Sequence, residues 1–204
     1  MEKQVERSAY AFEKYLGSDR WGSYWYQLRT VLSLAPESVL EIGAGDHVFG
    51  NYLRTNTSVA YQSCDIAEDL HPDIVGSVDA LPLSDSAVDV VVAFEVLEHL
   101  PFERFDAALC ELKRVAKRAV VLSLPHYGPS IRFSFKIPFL GEQRFAWKIP
   151  HHPVHVFNGQ HYWEIGKKGY ELPVVRTALQ KHFRIEQEFV PYENQYHHFF
   201  VLRK

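Results

Sequence analysis

Three acidic side chains and two glycines are spaced as a bound nucleoside would need them: Glu41, Gly43, Gly45 and Asp46 in one run, and Asp65 twenty residues beyond Gly45. Gly43 and Gly45 permit a sharp backbone turn and a closer approach to a ligand than any Cβ allows. Asp65 ends the stretch 59–64, at the distance where an acidic residue of a βαβ unit receives both ribose hydroxyls, since one carboxylate accepts two hydrogen bonds. A pyrophosphate turn of the form G-x-G-x-x-G is incomplete, because Val48 holds its third glycine position. The carboxylates of Glu41 and Asp46 beside the turn repel a phosphate and attract a cationic ligand. His126 and His161 are the candidate general bases. The first follows an apolar run and Pro125 almost at once, and the second has Glu164 nearby to orient its imidazole.

The elements that must position these residues read as an alternating α/β chain. Val39, Leu40 and Ile42 suit a buried parallel strand before the glycines, and residues 46–54 suit a helix after them. A second strand ends at Asp65, and a short third one leads into the loop Asp79-Ala80-Leu81-Pro82. A fourth runs from residue 87 towards Phe94 and Glu95. Helix 102–117 carries Phe105, Ala108, Leu109, Leu112 and Val115 on one face, and a fifth strand spans 119–124. After a helix over 171–182, strands 184–190 and 196–202 are joined by only five residues, which forbids a parallel crossover and makes them antiparallel. The fold class expected is therefore a doubly wound, Rossmann-like seven-stranded sheet, mostly parallel, with an antiparallel C-terminal hairpin.

The words E-I-G-A-G-D over 41–46 and V-L-E-H-L over 96–100 resemble class I S-adenosylmethionine-dependent methyltransferases, in particular the type 11-like group that includes ubiquinone and menaquinone C-methyltransferases. The likeness covers residues 37–125. Asp46 stands where the family's third glycine is usual, and Val88 replaces a usual aromatic. The resemblance implies S-adenosylmethionine as cofactor, with its methionine part against Gly43, Ala44 and Gly45 and its ammonium and sulfonium charges near Glu41. It implies Ile66, Asp79, Ala80 and Leu81 around the adenine, and Phe94 and Glu95 beside the methionine end. His99 of the second motif reads as a structural, hydrogen-bonded histidine. Tyr24 and Trp25, in the aromatic start of a helix over 23–34, are candidates for a lid.

Composition narrows the rest. The 204 residues are 47% hydrophobic with a net charge of −3, enough for one domain with a core and without the basic footprint of a nucleic-acid binder. Two cysteines, Cys64 and Cys110, without metal-type spacing suit a reduced cytoplasmic protein, and no apolar run of about 18 residues suggests a membrane span. The expected organisation is one domain over 1–204: a helical preface (1–37, with a first helix through Val5, Ala9, Phe12 and Leu16), a cofactor half (38–124), an acceptor-side insertion (125–163), and a C-terminal helix and hairpin (164–204). The insertion, rich in aromatics and histidines, favours a small, partly apolar or planar acceptor over a polyanion. No metal is expected there, because Pro150 and Pro153 forbid the helix that would gather His151, His152 and His155. The function expected is methyl transfer to a small acceptor; the alternative is a non-catalytic cofactor-binding or protein-interaction module. Oligomeric state has no signature in the sequence.

Overall fold

The computed structural model of the protein describes residues 7–204. A 3₁₀ turn Arg7–Tyr10 and a single helical turn α1 (Phe12–Tyr15) precede helix α2 (Ser18–Ser33). Of the expected first helix, Val5 lies outside the described residues and the described part is a 3₁₀ turn followed by one helical turn, while the aromatic run 21–26 lies inside α2 instead of at its start. The central chain follows as β1 (Ser38–Ile42), α3 (Val48–Asn56), β2 (Ala60–Asp65), β3 (Ile74–Val75), β4 (Val88–Phe94), α4 (Phe105–Val115) and β5 (Ala116–Pro125). The hairpin β6 (Ser130–Ile137) and β7 (Gly141–Lys148) comes next, and α5 (Leu172–Gln180), β8 (Arg184–Phe189) and β9 (His197–Arg203) close the chain.

Seven strands form one sheet in the order β3-β2-β1-β4-β5-β9-β8. β9 alone runs against its neighbours, pairing antiparallel with both β5 and β8, as the short link between the last two strands requires. Side chains alternate between the two faces. Val39, Val90, Val92, Ala119 and Val121 pack with Val31, Phe49 and Leu53 on one side; Leu40, Val91, Ala93, Val120 and Leu122 pack with the α4 stripe and Trp163 on the other. Both faces are covered, so β1, β4 and β5 are apolar almost throughout. The chain reverses its order between β1 and β4. A crevice therefore opens beyond their carboxyl ends, where ligands settle in open α/β sheets.

The insertion departs from the irregular loop expected. Residues 130–148 form a two-stranded antiparallel hairpin apart from the main sheet, with Ile131 opposite Trp147 and Phe133 opposite Phe145. These four side chains are exposed, and the rings of Phe135, Phe145 and Trp147 stack in sequence. Alternation of period two was present in Ile131-Arg132-Phe133-Ser134-Phe135-Lys136-Ile137, hidden because its apolar face is not buried.

Candidate functional site

A cavity open to solvent lies at the crevice, lined by Gly43 and Gly45 of the turn, Asp65 and Ile66 at the tip of β2, and Phe94 and Glu95 at the end of β4. The turn depends on its glycines: φ is +80° at Gly43 and +53° at Gly45, and a Cβ on Gly43 would lie 2.5 Å from Val96 Cγ2. Asp65 accepts hydrogen bonds from the amides of Ala44 and Ala67, each at 2.9 Å, so one carboxylate joins the glycine turn to the tip of β2. Burial pushes its pKa up, against the pull of those amides. The carboxylate has lone pairs beyond those two bonds and borders the cavity.

Five expected cofactor residues, Glu41, Ala44, Asp79, Ala80 and Leu81, make other contacts within the protein. Glu41 is buried beneath the turn and accepts the Tyr61 hydroxyl; burial pushes its pKa up to about 8. At neutral pH it carries a proton, so it presents no charge to a ligand, and the electrostatic argument falls to Asp46 and Asp65. Asp46 accepts the Tyr24 hydroxyl at 2.5 Å and the Val48 amide at 3.2 Å, tying α2 to the turn and the start of α3. Asp79 accepts the Ser77 hydroxyl at 2.5 Å and pairs with Arg104. Its neighbours are also engaged, Ala80 N donating to Ser77 O and Leu81 N to Glu111 Oε2, both at 2.9 Å. Gly76 and Val78 of the same segment border the cavity, as Asp79, Ala80 and Leu81 do not. Ala44 contributes its amide to Asp65 and no cavity wall.

The amino-terminal cover comes from Tyr10 and Tyr15, which sequence reasoning passed over for Tyr24 and Trp25. Tyr10 and Tyr15 line the cavity and meet edge to face, 4.8 Å between ring centroids. Arg20 donates to the Tyr15 hydroxyl at 3.0 Å and sits 4.0 Å above its ring. Burial raises both phenols, Tyr10 to about 12. Trp25 is half exposed, beside Arg29.

The two candidate bases lie in separate networks. His126 Nδ1 is 2.9 Å from His198 Nδ1, and His198 Nε2 is 2.8 Å from Glu188 Oε1, whose carboxylate also takes two bonds from Arg176. Since His198 must donate to Glu188, it accepts from His126. Burial, with Lys148 and His198 adding to it, pushes His126 down to about 3. It is neutral, weakly basic and absent from the cofactor cavity. It borders instead a second, polar cavity shared with Arg132, Lys148 and Tyr196. Lys148 donates to the His126 carbonyl, and burial lowers its ammonium to about 8. His161 borders neither cavity; its Nδ1 lies 3.1 Å from Glu164 Oε1, which also accepts the Tyr196 hydroxyl at 2.8 Å. Of the three loop histidines, His152 bonds the Gly166 carbonyl and His155 the His161 carbonyl, both at 2.9 Å. His99 lines the cofactor cavity, with Nδ1 3.1 Å from the Gln160 carbonyl. Reasoning from sequence also missed His197, buried 3.7 Å from Glu95, because only the pairing of β9 with β5 brings it there.

Strand order, the reversed β9 and a glycine turn opening on the crevice define the class I S-adenosylmethionine-dependent methyltransferase fold. Residues 40–124 match the family model described as "Methyltransferase domain". No curated protein sequence matches the chain. Among solved structures, it is similar to an S-adenosylmethionine-dependent methyltransferase from Clostridium acetobutylicum (8% identity, 96% of this chain and 95% of that one, TM-score 0.61). It is similar also to magnesium protoporphyrin IX methyltransferase from Synechocystis with bound S-adenosylmethionine (14%, 91% and 80%, TM-score 0.59). A third is the 1,6-didemethyltoxoflavin-N1-methyltransferase of Burkholderia thailandensis, with bound 1,6-didemethyltoxoflavin and S-adenosylhomocysteine (14%, 97% and 86%, TM-score 0.59). The cofactor of this class is S-adenosylmethionine.

Proposed function

We propose that the protein transfers the methyl group of S-adenosylmethionine to a small-molecule acceptor. The observation that carries this reading is the meeting, in one cavity at the sheet's switch point, of a positive-φ glycine turn with a ribose-type carboxylate, Asp65. In this reading the methionine part lies along Gly43, Ala44 and Gly45, and Asp65 receives the ribose hydroxyls. Ile66, Gly76 and Val78 enclose the adenine, and Phe94 and Glu95 adjoin the sulfonium. Tyr10 and Tyr15 close over the cofactor and exclude water. A sulfonium methyl is already strongly electrophilic, so the protein's task is to hold an acceptor atom in line behind it. Residues 38–124 form the cofactor half and residues 125–163, with the polar cavity, the acceptor side. His126 serves there as a hydrogen-bonding wall, since its low proton affinity unfits it as a base. Cys64 and Cys110 are unpaired, which accords with a reducing cytoplasmic setting. Among the described residues no helix is long and apolar enough to cross a membrane.

The test is incubation of the protein with a small-molecule extract and S-adenosylmethionine bearing a trideuterated methyl group, followed by mass spectrometry. The reading expects a labelled product whose formation falls with Asp65→Ala when the cofactor is below saturation. Tight cofactor binding with no labelled product from any extract would favour the non-catalytic module.

A further inference from the structure

We propose that Glu98, His99 and His161 form a divalent-cation site between the two cavities, and that the cation binds an oxygen of the acceptor. One donor atom from each lies within 4.8 Å of the others. Glu98 is fully buried, yet among the described residues neither of its carboxylate oxygens has a hydrogen-bond partner. A proton on Glu98 would remove its charge and still leave the new O–H and the second oxygen unsatisfied; a cation satisfies the whole carboxylate.

The imidazoles are oriented as ligands are. His161 directs Nδ1 to Glu164 at 3.1 Å, which leaves Nε2 to face Glu98 Oε1 at 4.0 Å. His99 directs Nδ1 to the Gln160 carbonyl at 3.1 Å. A metal-bound histidine characteristically donates its other ring nitrogen to a carboxylate or carbonyl, and here each histidine does one of these. Ligand bonds of about 2.1 Å place donor atoms at most about 4.2 Å apart, so closure by about half an ångström completes the set. Glu95 Oε1 is likewise buried, and among the described residues it has no hydrogen-bond partner within bonding geometry. The trio Asp106, Cys110 and His182 differs, because His182 is already bonded to Asp106 at 2.8 Å and two of its members are exposed.

Two imidazoles with one carboxylate and no thiolate suit Mn²⁺, Fe²⁺, Co²⁺ or Zn²⁺, and leave positions open. The place gives those positions a use. His99 and Glu95 border the cofactor cavity, while Tyr196, bonded to Glu164, borders the polar one. This part rests on the methyltransferase reading. An acceptor hydroxyl bound to the cation loses its proton to solvent; its oxygen forms a bond to the methyl carbon as the carbon–sulfur bond breaks, and the electron pair neutralises the sulfonium. The acceptor class is a hydroxyl compound, best one with two adjacent oxygens.

The test uses full-length protein freed of metal with EDTA and titrated with MnCl₂ in the absence of cofactor, followed by electron paramagnetic resonance of free Mn²⁺. One equivalent should bind, and Glu98→Gln and His161→Gln should each weaken it at least tenfold with circular dichroism unchanged. Co²⁺ added to the wild-type protein should give ligand-field absorption that shifts when catechol is added, a readout that needs no variant. Failure of the protein to bind Mn²⁺, Co²⁺ or Zn²⁺, or equal binding by both variants, overturns the site; a cobalt spectrum blind to catechol overturns the acceptor's place on it. S-adenosylhomocysteine titrated into the EDTA-treated protein tests the methyltransferase reading separately, and should bind whether or not metal does.

Discussion

Glu41 shows how burial alters the chemistry that a motif suggests. Its carboxyl, held by the Tyr61 hydroxyl beneath the turn, has its pKa raised from an ordinary 4.5 to about 8, chiefly by desolvation. The sign of the linkage follows. The folded protein holds this proton more tightly than the unfolded chain, so the group's contribution to stability is complete below about pH 4.5 and declines as pH rises towards about 8. Glu41→Gln keeps an acceptor for Tyr61 without the titration, and should flatten that decline by on the order of 1 kcal/mol or more. Urea unfolding of both proteins from pH 5 to 8 measures the difference. Asp65→Ala removes the proposed ribose acceptor and the tie to the Ala44 and Ala67 amides. Losing a hydrogen bond to a charged group costs roughly 1.5–3 kcal/mol, so S-adenosylhomocysteine affinity should fall at least tenfold in calorimetry. The acidic residue at the tip of β2 could be found by counting from the glycines. That Asp79 is held by Ser77 and Arg104 could not, because Arg104 comes from another part of the chain.

At the scale of elements, the two glycines of the turn carry different burdens. A Cβ on Gly43 meets Val96 at 2.5 Å, whereas one on Gly45 finds its nearest neighbour, Tyr10 Cε1, at 3.7 Å. Gly43→Ala should therefore destabilise the fold by well over 1 kcal/mol, through both clash and left-handed strain. Gly45→Ala should cost only the strain, about 1 kcal/mol, while narrowing the cofactor cavity. Melting curves recorded beside binding titrations separate the two effects. This strand–turn–helix unit was legible because its signals are local: an apolar run, glycines, and a helix whose stripe meets the sheet. The β6–β7 hairpin was less so. Its aromatics alternate as a strand's do, but they face outward, and sequence reasoning that looks for a buried face passes over them.

Across the whole molecule, the site is assembled from segments far apart in the chain. Tyr10 and Tyr15 cover the cofactor cavity, and β9, slotted between β5 and β8, carries His197 to Glu95 and His198 to His126. No spacing rule connects residue 10 with residue 65 or residue 126 with residue 198, which is why the strands and the glycine turn could be read from the sequence and these contacts could not. Tyr10→Ala combined with Tyr15→Ala should leave the sheet and its melting temperature nearly unchanged, since both side chains lie at the margin of the fold. It should weaken S-adenosylhomocysteine binding several-fold by opening the cavity to water, as fluorescence titration would detect.

The central claim is that S-adenosylmethionine lies across the end of β1 with its ribose on Asp65. A crystal structure of the protein grown with S-adenosylhomocysteine tests it most directly. The account predicts both ribose hydroxyls within hydrogen-bonding distance of the Asp65 carboxylate, adenine beside Ile66 and Val78, and the sulfur facing Glu95. Ligand bound elsewhere, or a crevice without ligand beside a calorimetric titration showing no binding, would contradict it.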